Sequence, residues 1–433
     1  MEGSTVTDHN LESGTILAGA ALVDITPPAG LPMAGYAART EPSTGSHDPL
    51  TARAIAVGDT AIIVCDVIGL DDASCARIRA RCALDADKVV VIATHTHGGP
   101  VSMPSGVGTG CDLDYLARLE EACVVAIDRA VASRRPAVLR AGMGKNPGIA
   151  FNRRHDGGSI DAQVPVLRID AVDGTPIAML VSHACHPVVL GAFNRLYTGD
   201  YVHYVRQALE AAAPGALAVF LPGCPGDIST GHSPQSSIST VPTDDRSYAE
   251  AERLCRRVAT SALAAPLHRL DGAVHAASAR VDLALERNET APLAELAAEW
   301  RSKARESDAA WQALYECWAD WAGTIALRPL SPLSVRVSVL DWAGMRLSFL
   351  PGEMFVRSAL TIRGESARPH LVTSFADGVP GYIPPAAEYA FGGYEVLQAH
   401  RYYGQPAAFA PGSAERVEAV AVELGRQIDR AAG

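Results

Sequence analysis

The sequence predicts an α/β fold in which mixed β-sheets are flanked by helices. Three observations point to it. Short apolar runs bounded by glycine, proline and aspartate recur from Leu17 onward and read as strands. Between them lie stretches with apolar residues three and four apart, the spacing of one helix face. Neither an internal repeat nor a linker interrupts the alternation, so residues 16–433 are expected to form one domain. The polar stretch 1–15, MEGSTVTDHNLESGT, is expected to be a disordered leader.

LAGAALVDITPP opens the folded part as a strand. LTARAIAVGD and AIIVCDVIGLD then form a hairpin turned at Gly58-Asp59. A helix is predicted over 71–83, followed by the buried strand VVVIATHT, a helix over 113–133, and strands at PVLRIDA and PIAMLVSHACHP. Gly199-Asp200 precedes an amphipathic segment through Ala213, and ALAVFLPG follows as a strand. Composition shifts over 288–325, where apolar residues at helical intervals include four of the five tryptophans. This reads as an insertion of one or two amphipathic helices, which either covers the core or makes a contact between two copies of the chain. Strands LSVRVSVLDW and RLSFLPG, a Gly/Pro/Tyr-rich loop over 376–405 and a helix over 413–431 complete the chain.

Composition excludes several classes. The net charge of −11 has acidic and basic residues interspersed, which leaves no basic footprint for nucleic acid. No run of 18 apolar residues predicts a membrane span, and no basic-then-apolar leader predicts secretion. Nine cysteines, an odd number without C-x-x-C spacing, argue against a disulfide framework or a cysteine-based zinc finger. A cytoplasmic location is expected.

The chemistry concentrates where apolar strands stop. KVVVIATHTHGGP delivers His95 and His97 two residues apart, and a strand would set them on one face, roughly 6–7 Å apart along the chain. VSHACHP offers His183 and His186, which an odd spacing sends to opposite faces of a strand. One of them is expected in a given pocket and the other in the core. Glu353 follows the Pro-Gly turn of LPGE, and Tyr382, Tyr389 and Tyr394 lie in the 376–405 loop. A zinc site draws on this donor set, with one position left open for water.

In order along the chain, ITPP, ATHTHGGP, FNRR, ACHP, PGCPGD, PGE and GYIPP…EY…GGYE resemble the neutral/alkaline (non-lysosomal) ceramidase family. The resemblance runs from about Leu17 to Gln405 and is nearest to short bacterial members without the C-terminal immunoglobulin-like domain. It implies a neutral ceramidase catalytic-domain-like fold and a zinc ion held by His95, His186, Glu353 and Tyr382. It further implies that His97 contacts substrate or water, and that Arg153 and Tyr394 stand at the reacting carbonyl. His183 is left as a structural histidine. Asn152, Asp200 and Asp227 are expected to touch substrate. Ser229 aligns with a serine sometimes assigned as nucleophile, but PGDISTG lacks the proline and asparagine that usually follow it. Gly98 replaces the family's usual serine in THTHGGP.

The expected reaction is zinc-dependent hydrolysis of an amide or related acyl bond, with His97 as proton shuttle and Arg153 and Tyr394 as oxyanion donors. A serine mechanism is disfavoured, because Ser229 sits in no G-x-S-x-G elbow. The expected substrate is small and soluble, with Phe375, Tyr389, Phe391 and Tyr394 closing over it. Other readings are a true ceramidase, acyl transfer within one molecule, a bimetal amidohydrolase barrel and a non-catalytic scaffold.

Overall fold

The computed structural model describes residues 16–432 except 109, 234, 235 and 237, so the leader expected over 1–15 lies outside the described residues. Nine strands make the larger sheet. From one edge the order is Leu217–Leu221, Pro176–Ser182, Val164–Ala171, Arg135–Gly144, Ile16–Asp24, Thr51–Val57, Thr60–Cys65 and Val89–Ala93, with Leu267–Arg269 paired onto Arg135–Gly144. The pair at each end is parallel and the pairs between are antiparallel. A second sheet orders Val274–Leu283, Leu333–Trp342, Met345–Phe349 and His370–Thr373, the last pair parallel. The α/β fold class with mixed sheets is therefore the one observed.

Side-chain alternation explains the layers. Ala52, Ala54 and Ala56 face helices Asp72–Arg81 and Leu113–Ala132, and their small size lets helix and sheet approach closely. Ile55, Val57, Ile62 and Val64 point the other way, against Leu340, Trp342, Leu347 and Phe349 of the second sheet. Helix Ser413–Ala432 covers the far side of that sheet, setting Val417, Ala421, Leu424 and Ile428 on Val335, Val337 and Val339. The order is helix, sheet, sheet, helix. Each fully buried aliphatic side chain in these layers contributes about 1.5–3 kcal/mol.

The hairpin turns at Gly58, whose φ of 58° suits glycine, and Thr51–Val57 pairs with Thr60–Cys65 as expected. The helix Tyr248–Leu263 was not anticipated. Its signature is nevertheless present: Ser247 caps the backbone N–H of Glu250, the S-x-x-E spacing, ahead of buried Ala251, Leu254, Cys255 and Val258. The stretch 288–325 forms two helices, Leu293–Glu306 and Ala309–Gly323. Three of their tryptophans surround one cation. The guanidinium carbon of Arg401 lies 4.8 Å from the rings of Trp300 and Trp318 and 5.4 Å from Trp321, and Glu289 pairs with its charge at 3.1 Å. These helices thus spend their aromatic face on the 376–405 loop.

Candidate metal centre

Five strands end beneath one cavity: Val89–Ala93, Pro176–Ser182, Leu217–Leu221, Met345–Phe349 and His370–Thr373. Their carboxyl ends supply the loops with His95, His186, Asp227, Glu353 and Phe375, as ligands of α/β sheets prefer. His95 is not in a strand. Val89–Ala93 stops before it, and His95 takes a left-handed backbone, φ 62°, with its N–H donating to Val67 O at 3.0 Å. The convergence of His95 and His97 therefore comes from a turn and not from strand alternation, with Nε2 atoms 3.4 Å apart. Gly35 makes room for this turn, since a Cβ there would lie 2.5 Å from the His97 ring. His183 and His186 likewise follow the end of their strand, so loop geometry and not sheet face separates them.

His95, His186 and Glu353 come together, all buried, with one ligand atom of each within 4.8 Å of the others. The His186 Nε2 to Glu353 Oε2 distance is 2.9 Å and His95 Nε2 to the same oxygen 3.5 Å. The second nitrogen of each ring is tied down. His95 Nδ1 lies 2.6 Å from Ile68 O and His186 Nδ1 2.9 Å from Ile228 O. A carbonyl only accepts, so these partners assign the proton to Nδ1, and each neutral ring presents its Nε2 lone pair to the centre. Burial drives the His95 pKa down to about 4. Burial alone would raise the Glu353 carboxyl, but the adjoining His95 and His186 hold it at about 2. Two lone pairs and a carboxylate oxygen crowded in a dry site repel one another unless a cation sits among them. Histidine held by a backbone carbonyl is the usual outer support of such a ligand. The residues fit a divalent metal.

The neighbours are ordered around this trio. Glu353–Met354 pairs in parallel with Tyr382–Ile383, which sets Tyr382 beside Glu353. Arg153 donates to Tyr382 Oη at 2.9 Å, to Gly226 O at 2.9 Å and to Glu395 at 2.9 Å. Tyr394 lines the cavity, and among the described residues its hydroxyl has no hydrogen-bond partner within the protein. Tyr403 donates to Glu353 Oε1. This residue was not singled out from the sequence, although it lies in the tyrosine-rich loop. His183 is buried, belongs to no ligand group, and has no hydrogen-bond partner on either ring nitrogen.

Other expected site residues do not reach the cavity. Asn152 accepts from Arg154 N and His155 N and donates to Asp227, which in turn accepts from Val356 N at 2.8 Å. Asp200 caps helix Tyr201–Ala212 and accepts from Leu190 N at 2.9 Å. None of the three lines the cavity, and their oxygens are spent on holding loops. Ser229 is fully buried, pairs with Phe151 across a short ladder, and donates to His232 O at 2.7 Å, with no base beside it. Phe375, Tyr389 and Phe391 do not close over a ligand either: Phe375 is buried under His95, Tyr389 donates to Phe409 O, and Phe391 is exposed against His155. The cavity, about 770 Å³, is walled instead by Trp311, Leu314 and Trp318 of the insertion, opposite Met33 and Tyr36.

A buried His-His-Glu cluster at the carboxyl ends of a mixed sheet, under a deep cavity, is an arrangement compatible with a metal site in an α/β protein. Residues 16–220 match the model of the neutral/alkaline non-lysosomal ceramidase N-terminal family. The match covers just under half of the chain and makes residues 16–220 similar to the N-terminal part of that ceramidase family. The chain's fold is similar to the neutral ceramidase of Pseudomonas aeruginosa, with a TM-score of 0.76 at 18% identity over 97% of this chain and 75% of that one. A ceramidase solved in complex with C2 gives the same TM-score and identity over 96% and 76% of the two chains.

Proposed function

We propose that the chain is a zinc-dependent hydrolase that opens an amide or related acyl bond of a small soluble substrate. The observation that carries this reading is the trio of His95, His186 and Glu353 with both imidazoles anchored through Nδ1. Nitrogen and carboxylate donors in this number are the ligand set of a catalytic zinc site, and Tyr382 is assigned to the fourth position. Zinc, when bound, supplies Lewis-acid polarisation of a carbonyl and lowers the pKa of water towards ~7.

The remaining steps belong to the protein's own groups. His97, kept neutral by burial and with Nδ1 free of any partner, takes the proton released as water adds to the acyl carbon. It returns that proton to the leaving amine, so that water and amide become acid and amine. Tyr394 Oη and Arg153 lie on the cavity side of Glu353 and are assigned to the developing oxyanion. Supporting a compact substrate is the wall formed by Trp311, Leu314 and Trp318, which bounds the space above the centre.

Elemental analysis of the purified protein, beside His95→Ala, His186→Ala and Glu353→Ala, tests the metal assignment. One zinc per chain in the parent and loss in the variants is expected. Stoichiometric zinc in all three variants sinks it. For the substrate, long-chain ceramide is assayed beside a panel of soluble N-acyl compounds, and ceramide turnover well above every soluble amide overturns the small-substrate reading.

A further inference from the structure

Seven arginines are buried among the described residues: Arg39, Arg53, Arg79, Arg206, Arg246, Arg336 and Arg346. Five have a carboxylate partner, such as Arg206 with Asp66 at 2.7 Å and Arg336 with Asp377 at 2.9 Å. Arg39 and Arg246 have none, although they are only 7% and 6% exposed. Both line the cavity.

Every acceptor these two arginines reach is neutral. Arg39 donates to Asn194 O at 3.0 Å, His97 O at 2.6 Å and Ala34 O, and its Nε has no partner. Arg246 donates to Ser236 O at 2.8 Å, while its contacts to Val188 O, Val189 O, Tyr36 Oη and Ser236 Oγ are long, at 3.4–3.5 Å. The two guanidinium carbons lie 5.0 and 5.9 Å from the Tyr36 ring, whose centroid is 4.9 Å from that of His97. Among the described residues the cavity's other carboxylates are already engaged: Glu353 by the imidazoles, and Glu41 by Arg195 at 2.7 Å. Asp200 stands behind Tyr36 with its oxygens held by backbone N–H groups.

Two uncompensated guanidinium charges in a buried wall are costly for the free protein. A ligand anion at that wall removes the cost, and a guanidinium favours a planar carboxylate. We infer that Arg39 and Arg246, flanking Tyr36 next to His97, form a subsite for a substrate carboxylate, so that the substrates are anionic acyl compounds such as N-acyl amino acids or their cyclic equivalents. This inference rests on the hydrolase reading of the neighbouring centre.

The test compares each N-acyl amino acid with its own carboxamide, which differs only in charge. The parent is expected to favour the acid by tenfold or more in kcat/KM, with Arg246→Met reducing the ratio towards one and Arg246→Lys retaining part of it. Added salt shrinks the preference. A parent ratio at or below one overturns the subsite. If no compound is turned over, the hydrolase reading has failed, and the subsite is then decided by calorimetric titration with N-acetylphenylalanine and its carboxamide. Tighter binding of the acid, weakened tenfold or more in Arg246→Met, supports it, and equal binding of the two overturns it. Should Arg246→Met fail to fold, the Lys variant and the salt dependence give the same decision.

Discussion

His95 and Phe375 stack face to face, ring centroids 4.1 Å apart and planes 17° from parallel, and both residues hold left-handed backbones at φ 62° and 60°. Such a backbone in a non-glycine residue costs of order 1–3 kcal/mol and persists only where the surroundings fix it. Here they do. Ala93 N donates to Phe375 O at 3.1 Å, Phe375 N donates to Gly352 O at 3.0 Å, and Asp377 binds Arg336 at 2.9 Å and also Arg79. Two strained residues from separate loops thereby aim one imidazole.

Phe375→Ala removes that stack. Stability is expected to fall by about 3–5 kcal/mol, the usual cost of emptying a buried phenylalanine site. Zinc affinity is expected to fall with it by roughly 10–100-fold, as when an outer support of a ligand is lost. Thermal denaturation and chelator competition measure the two effects. Unchanged zinc affinity in a destabilised variant shows that Phe375 packs without orienting His95.

Tyr403→Phe takes one hydroxyl from Glu353 and leaves the ring. A loss of ~10–100-fold in zinc affinity is expected, with little change in fold by circular dichroism. The same competition assay reads it.

Tyr394→Phe is expected to keep its zinc and lose about 2.7–4 kcal/mol of transition-state stabilisation, a fall of ~10²–10³ in kcat. Zinc content and turnover are measured on one preparation. Loss of zinc makes Tyr394 a ligand and not an oxyanion donor.

Ser229→Ala should be mild, because its hydroxyl serves His232 O. About 1 kcal/mol of stability is the expected loss, with activity within a few-fold of the parent. Complete inactivation with fold and zinc intact would restore the serine as nucleophile.

Asp227 gives a pH signature. Burial raises its carboxyl from 3.8 to about 6. Between those values the folded protein holds a proton that the unfolded chain has released, so stability falls as pH rises through this window and the loss is complete above pH 6. Asp227→Asn carries a fixed cost for its changed hydrogen bonds but lacks the slope. Relative to it, the parent is expected to lose up to ~3 kcal/mol from pH 4 to pH 7, order of magnitude. Parallel stability curves contradict this.

Much of this was legible in the sequence, and the misses have physical causes. Strands read well because their apolar runs are short and abruptly ended, and His95, His186 and Glu353 stood out at those ends. What alternation cannot convey is a left-handed turn, so the geometry of His95 and His97 was read as a strand when it is a loop. Asn152, Asp200 and Asp227 resemble substrate contacts by residue type, yet only the fold shows their oxygens facing backbone N–H groups. Tyr403 and the wall of Trp311 and Trp318 depend on contacts between segments far apart in the chain, 50 residues between Tyr403 and Glu353 and more across the cavity. No local pattern encodes such distances.

Arg401, Tyr402 and Tyr403 are consecutive, with the first clamped among the tryptophans of the insertion and the last donating to Glu353. The two-helix insertion is thus not a detachable cap. The same three-residue peptide that the helices grip through Arg401 carries the hydroxyl that holds Glu353, so the position of one is tied to the position of the other. A chain with the helices trimmed or replaced would have to re-anchor Glu353 by other contacts, because wall and floor of the pocket share one support.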